Sequence, residues 1–344
     1  MKTESSLLYF KAAGLCVFLI FSLVFSMLAG TEKIPAGDFF PALINYNPED
    51  IYSVILFKIR LPRTLTAAVC GLLLGGTGAI LQGFFRNPLA DSGVLGLSSG
   101  AALGGVIGST LISTSIGQYT FGGISTISLS AFAGALFCAI ILLFFSRSGR
   151  KGNGTTLILA GTAISAIFTG LTSYILLLNT RELYKMFMWT LGSFNGKGWN
   201  DFFFILPAAF AAIGIMIFLS FRLDILISGE EKAVSLGMNL KTTTSLVLIA
   251  GSLGTAAAVC GGGIIGFIGL TAPHITRRIF SSRHRILVPL SMITGSILIL
   301  VSDSLSRIIA PPSEIPLGII TSLTGAPVFI WILLSYQRKD KYGN

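Results

Sequence analysis

The apolar residues of this chain come in runs long enough to cross a lipid bilayer, and there are more of them than a water-soluble fold could bury. Such runs fall near 7–29, 64–85, 94–112, 121–145, 155–179, 202–220, 243–261, 286–302 and 316–336. A helix needs about 20 residues, each rising ~1.5 Å, to span the hydrocarbon layer. Hydrophobic residues make up 53% of the 344 positions and charged residues 11%, and mean hydropathy is +0.82. A soluble domain carries about 25% charged residues to keep its surface wet. The expected fold class is all-α and integral to the membrane. Residues 1–344 are expected to form one integral domain, because no long linker or low-complexity tract interrupts the runs.

A further apolar stretch, Gly261 to Ala272, is too short and too rich in glycine to cross as a regular helix. The strongly basic segment Arg277–Arg285 follows it, so the chain is expected to cross there as a short, broken eighth helix. Such a break survives only where protein or a water-filled cavity surrounds it. The expected count is ten transmembrane helices. The run 7–29 lacks a small-residue cleavage site and is expected to stay as the first span. With both termini on the cytoplasmic side, Lys and Arg gather in the segments assigned to the inside, as at Arg147–Lys151, Arg277–Arg285 and Arg338–Lys341. This is the charge bias that sets membrane orientation. The exception is one outside segment, Lys33 to Arg63, where Lys33, Lys58, Arg60 and Arg63 stand close together.

The net charge of +10 is scattered between apolar runs rather than gathered in a patch, so no nucleic-acid partner is expected; lipid is. Cys16, Cys70, Cys138 and Cys260 lie inside apolar stretches with no C-x-x-C spacing and read as small buried residues, not metal ligands. His274 and His284 lie in or beside the basic loop and read as solvated. Gly261-Gly262-Gly263-Ile264-Ile265-Gly266 fits a dinucleotide fingerprint by letter, but it has no preceding strand. Asn153-Gly154-Thr155 falls on the inside face, where glycosylation does not apply. No phosphate-binding P-loop occurs, so nucleotide energy must come from another chain. Ionisable residues are nearly absent from the spans, and Asp303 stands one turn before Arg307, as a local ion pair would. Proton- and sodium-driven carriers keep such groups at their coupling sites. That weighs against the alternative of a secondary transporter or channel, and the lack of a catalytic constellation weighs against an enzyme.

Gly96, Gly100, Gly104 and Gly108 recur every fourth residue and are expected to form one packing stripe, as are Gly71 and Gly75. Residues 228–237 read as a short cytoplasmic helix. Ser228 with Glu231 forms a capping box by pattern, and Gly237 suits the left-handed stop. A stiff, capped helix on the membrane face is what transmitting force from a partner requires.

Several motifs together resemble those of the FecCD-type permeases, which include the membrane subunit of the vitamin B12 importer. They are Arg60-Leu61-Pro62-Arg63, Arg86-Asn87-Pro88-Leu89-Ala90-Asp91, Gly96-Leu97-Ser98-Ser99-Gly100, Gly266-Phe267-Ile268-Gly269-Leu270 with Pro273-His274, Glu314-Ile315-Pro316-Leu317-Gly318 and Gly325-Ala326-Pro327-Val328-Phe329, in order along the chain. The resemblance implies a type II ATP-binding-cassette importer permease: a homodimer of ten-helix subunits with two cytoplasmic ATPases and an external substrate-binding protein. ATP and Mg would sit on the ATPase chains, with no cofactor on this one. It makes 229–237 the coupling helix, with Glu230, Glu231, Ala233, Leu236 and Gly237 at the ATPase. It places Arg60, Arg63 and Arg307 where the binding protein docks, and the cytoplasmic gate at Gly154, Thr155 and Thr156. The implied cargo is an iron chelate, a ferric siderophore first, then haem or cobalamin, taken inward across a bacterial inner membrane.

Overall fold

The computed structural model describes residues 2–114, 120–121, 124–148 and 154–342. Arg150, Lys151 and Asn153, named above, lie outside the described residues. Thirteen helices are described: α1 Lys2–Leu28, α2 Ala36–Ile44, α3 Ile51–Phe85, α4 Leu97–Thr114, α5 Thr126–Ser148, α6 Gly154–Leu178, α7 Thr180–Thr190, α8 Trp199–Leu226, α9 Glu230–Ser235, α10 Leu240–Gly262, α11 Ile268–Ile279, α12 His284–Ile308 and α13 Leu317–Tyr342. Between α4 and α5 a two-residue ladder pairs Thr120 with Ser125 and Phe121 with Ile124.

Seven of these helices (α1, α3, α5, α6, α8, α10 and α12) are long and apolar enough to cross a membrane. Their burial divides them. Most of α3, α10 and α12 is buried, whereas α1 and α6 are largely exposed. In lipid there is no hydrophobic drive between helices, so what buries α3 is shape. It packs against α12, α10, α8 and α11. Cys16, expected to be buried, lies on the exposed side of α1 instead, because α1 touches the bundle mainly through α12.

Local chemistry sets the helix ends. Asp50 caps α3, accepting from the Tyr52 and Ser53 amides at 3.2 and 3.1 Å and from the Ser53 hydroxyl at 2.9 Å. These bonds, the hydroxyl's above all, hold the Asp50 carboxyl below its ordinary range. At the other end Arg86 stops α3 in a left-handed conformation, φ 48°. Gly263 at φ 74° and Phe267 at φ 67° separate α10 from α11. With 12 residues, α11 rises only ~18 Å, short of the ~30 Å hydrocarbon layer.

The glycine patterns mark two backbone-to-backbone contacts. Gly71 and Gly75 of α3 lie against Ser291, Gly295 and Ser296 of α12, and Gly295 in turn lies against the Gly71 carbonyl. Gly100 and Gly104 of α4 meet Gly134 and Ser130 of α5; a Cβ on Gly100 would stand 2.7 Å from the Gly134 carbonyl oxygen. Gly108 faces the Ser130 side chain. Gly96 departs from the expected stripe. It precedes α4, has φ 80°, and faces Gly161 and Ser165 of α6.

Gly75→Leu is expected to abolish the monodisperse protein in detergent, and Gly75→Ala to lower stability by about 1–3 kcal/mol through overpacking. Gly214 of α8, with open space around its Cα, serves as the control. Gly214→Ala should leave the thermal midpoint unchanged or raise it.

Candidate functional site

α3 and α12 run antiparallel, so residues far apart in sequence meet at both ends of the pair. At the first end lie Arg60 and Arg63 from the start of α3, Asp303 and Arg307 from the end of α12, the last turn of α1, and Glu314 from the segment before α13. Arg63 donates from Nε and Nη2 to Asp303, the shorter bond being 2.8 Å, and grips both Glu314 oxygens at 2.9 Å. Arg307 pairs with the other Asp303 oxygen at 2.8 Å and donates to the Ala29 carbonyl and the Ser26 hydroxyl at 2.7 and 2.9 Å. Arg60 donates to the carbonyls of Met27 and Leu28, both at 2.9 Å, and to that of Glu32. Arg60 and Arg307 therefore cap the C-terminus of α1, where unpaired carbonyls and the helix dipole favour a cation.

The expected i,i+4 pair of Asp303 and Arg307 is present, within a larger network. The three arginines that the resemblance places at the docking face are engaged within the chain. Arg60, Arg63 and Arg307 are only 5%, 6% and 5% exposed, and their donors are taken up inside the chain. The sequence offered Arg63 no nearby acid, but the fold brings two from 240 and 251 residues away. Lys58, two residues before Arg60, is exposed on the same helix.

At the opposite end lies α9. It starts at Gly229, φ 117°, and no side chain caps it. The expected capping box is absent because the helix begins one residue late; the Ser228 hydroxyl donates back to the Ile225 carbonyl at 2.7 Å. Its stop is as expected. Gly237 takes φ 83°, its amide reaches the Val234 carbonyl at 2.9 Å, and the Met238 amide reaches that of Ala233 at 3.0 Å, a Schellman closure. Ala233 is fully buried, while Glu230, Glu231, Val234 and Leu236 face outward. Arg86 donates to the Leu226 carbonyl at 2.8 Å, tying the end of α3 to the end of α8 just before α9.

Gly154 opens α6 against Phe85; a Cβ there would lie 2.9 Å from the ring. Thr155 and Thr156 are exposed. A cavity of about 570 Å³ joins this region to α9, lined by Phe84, Gly154, Leu226, Glu230, Glu231 and Lys241 among others. His284, expected to be solvated, is instead 4% exposed and bonded to Asp224, which the sequence did not single out.

A model of the FecCD transport family matches residues 18–335. The chain belongs to the FecCD transport family. It is thus a permease subunit of ATP-binding-cassette importers, a transport component and not an enzyme, and a multi-pass membrane protein. This FecCD permease is 35% identical over 329 residues to the hemin transport system permease protein of Yersinia pestis, spanning 95% of this chain and 96% of that one. It is 35% identical over 294 residues to the cobalamin import system permease protein of Halobacterium salinarum, spanning 86% of this chain and 77% of that one. A solved inward-facing structure of a metal-chelate type ABC transporter superposes with a TM-score of 0.80 at 29% identity, over 94% of this chain and 98% of that one.

Removing one member of a buried ion pair leaves the other charge unsatisfied, at about 3–5 kcal/mol. Asp303→Asn in this FecCD permease should therefore lower the thermal midpoint more than Glu314→Gln, since Asp303 serves two arginines and is 1% exposed against 25% for Glu314. Arg63→Lys should fail to substitute, because an ammonium cannot grip two carboxylates in a fork. The ranking should hold in high salt, which does not screen a buried network.

Proposed function

We propose that this permease carries an iron chelate inward, a ferric siderophore before haem or cobalamin, as a homodimer with two ATPases and an external binding protein. The observation that carries the reading is the full-length likeness to a metal-chelate type transporter. Each subunit is read as crossing ten times. To the seven long apolar helices this adds α4, the short α11 with the irregular Gly263–Phe267 backbone before it, and α13. Both termini and α9 then lie in the cytoplasm, and the arginine network lies outside.

In this reading α9, within 229–237, is the coupling helix. Ala233 anchors it to the permease, while Glu230, Glu231, Val234 and Leu236 offer a mixed acidic and apolar surface to an ATPase groove. Nucleotide and Mg belong to that partner; no cofactor is assigned to this chain. Gly154, Thr155 and Thr156 form the cytoplasmic gate, with Phe85 closing on Gly154. The binding protein lands on the outer face. Arg60, Arg63 and Arg307 shape that face from beneath, and docking charge comes from exposed groups such as Lys58.

Proteoliposomes holding the permease and its ATPase, with ATP sealed in the lumen and the binding protein outside, should accumulate a ferric siderophore. Uptake of cobalamin or haem alone would overturn the choice of cargo. In the same vesicles Gly237→Val should strain the left-handed stop by about 1 kcal/mol or more, and binding-protein-stimulated ATP hydrolysis should fall. Unchanged stimulation in an assembled complex would remove α9 from the coupling role.

A further inference from the structure

The first turn of α12 has a need that its own sequence does not meet. Its N-cap residue, Arg283, provides no side-chain acceptor, so the leading amides depend on a group from elsewhere. Asp224, in the last turn of α8, supplies it. One carboxylate oxygen accepts from the His284 amide at 2.5 Å and lies 3.3 Å from His284 Nδ1; the other accepts from the Arg285 amide at 3.3 Å, with Arg285 Nε at 3.7 Å. An anion at a helix N-terminus is also favoured by the dipole. Arg285 lies over the Phe221 ring of α8, 4.7 Å from its centroid, which makes a second tie between the same two helices. The His284 ring is wedged against Gly83 in the last turn of α3, and its Nε2 has no partner there.

Asp224 stands six residues before Glu230, the first residue of α9. The α12 helix it holds is backed against α3 through Gly295 and ends in Asp303 and Arg307 of the arginine network. One packed rod thus joins the α9 end of the molecule to the arginine end, and Asp224 holds the start of that rod to the element that carries α9. Energetic coupling over such a distance travels through contiguous packed and hydrogen-bonded elements.

We infer that Asp224 is a positioning residue for transport: through its grip on the first turn of α12, movement of α9 is passed to the arginine end of the permease. The inference rests on reading α9 as the coupling helix. A cap that merely stabilises α12 is separable from a joint that transmits movement. In Asp224→Ala with Arg283→Asp, a local carboxylate caps α12 while the carboxylate link to α8 is cut and only the Arg285–Phe221 contact is left.

The test uses the permease assembled with its ATPase, carrying Cys16→Ser and a spin label at Ile309→Cys, an exposed position at the end of α12. The distance between the two labels is measured without nucleotide and with MgATP and vanadate. The parent should show a shift on trapping. The Asp224→Ala, Arg283→Asp protein should match the parent in assembly and thermal midpoint and lose the shift. A retained shift makes Asp224 a cap only and overturns the inference, as does a parent that shows none. Gly237→Val separates the two readings. If it loses the shift while the double variant keeps it, the joint falls and the coupling helix stands; if it keeps the shift, both fall. Should the double variant fail to assemble, Asp224→Asn with Arg285→Ala replaces it. A reduced shift then supports the joint, and an undiminished one overturns it.

Discussion

The contact between α3 and α12 is made backbone to backbone, because Gly71, Gly75 and Gly295 leave nothing between the two helices. Within a bilayer two helices gain little by hiding apolar side chains from each other, so close van der Waals approach has to hold them. The other buried elements are arranged around this pair. α10, α8 and α11 pack on α3, and α1 and α11 pack on α12. The antiparallel register of the pair also brings Arg63 to Asp303 at one end and Gly83 to His284 at the other.

Polar groups at those two ends are buried, and each end solves the problem of burial in its own way. At the arginine end three cations meet two carboxylates and the carbonyls that finish α1, so each charge is paired or hydrogen-bonded. Burying charge is tolerable only on those terms. At the α9 end one carboxylate, Asp224, meets two backbone amides and the side chains of His284 and Arg285. Both ends are closed by residues from different helices, and neither could form before the helices had packed.

This arrangement fits an importer subunit that must change shape without coming apart. The exposed helices α1 and α6 carry few buried residues, while the α3, α10 and α12 core is dense. The short, Schellman-closed α9 projects from the end of α8 with its outer side chains free. Ala233 alone of the α9 residues is fully buried, which seats the helix on the bundle and leaves the rest available to a partner.

The apolar runs, the glycine spacing at Gly71, Gly75, Gly100 and Gly104, and the left-handed stop at Gly237 were legible in the sequence because each depends on a few neighbouring residues. Length, period and permitted backbone angles are local properties, and the ordered motifs added the family. Local pattern misled wherever a distant group took over. Ser228 lost its capping role to Gly229, Gly96 left the packing stripe for α6, and Arg63 found its acids far off in sequence, Asp303 in α12 and Glu314 before α13. Asp224 and His284 carried no signal at all, since a cap supplied from another helix leaves no spacing to find. The sequence by itself determined that this chain lives in a membrane as packed helices and which family it joins, because lipid permits few other backbones. Only the tertiary structure decided which charges are buried and what they hold, because pairing across 240 residues is fixed by how the helices pack and not by any stretch of chain.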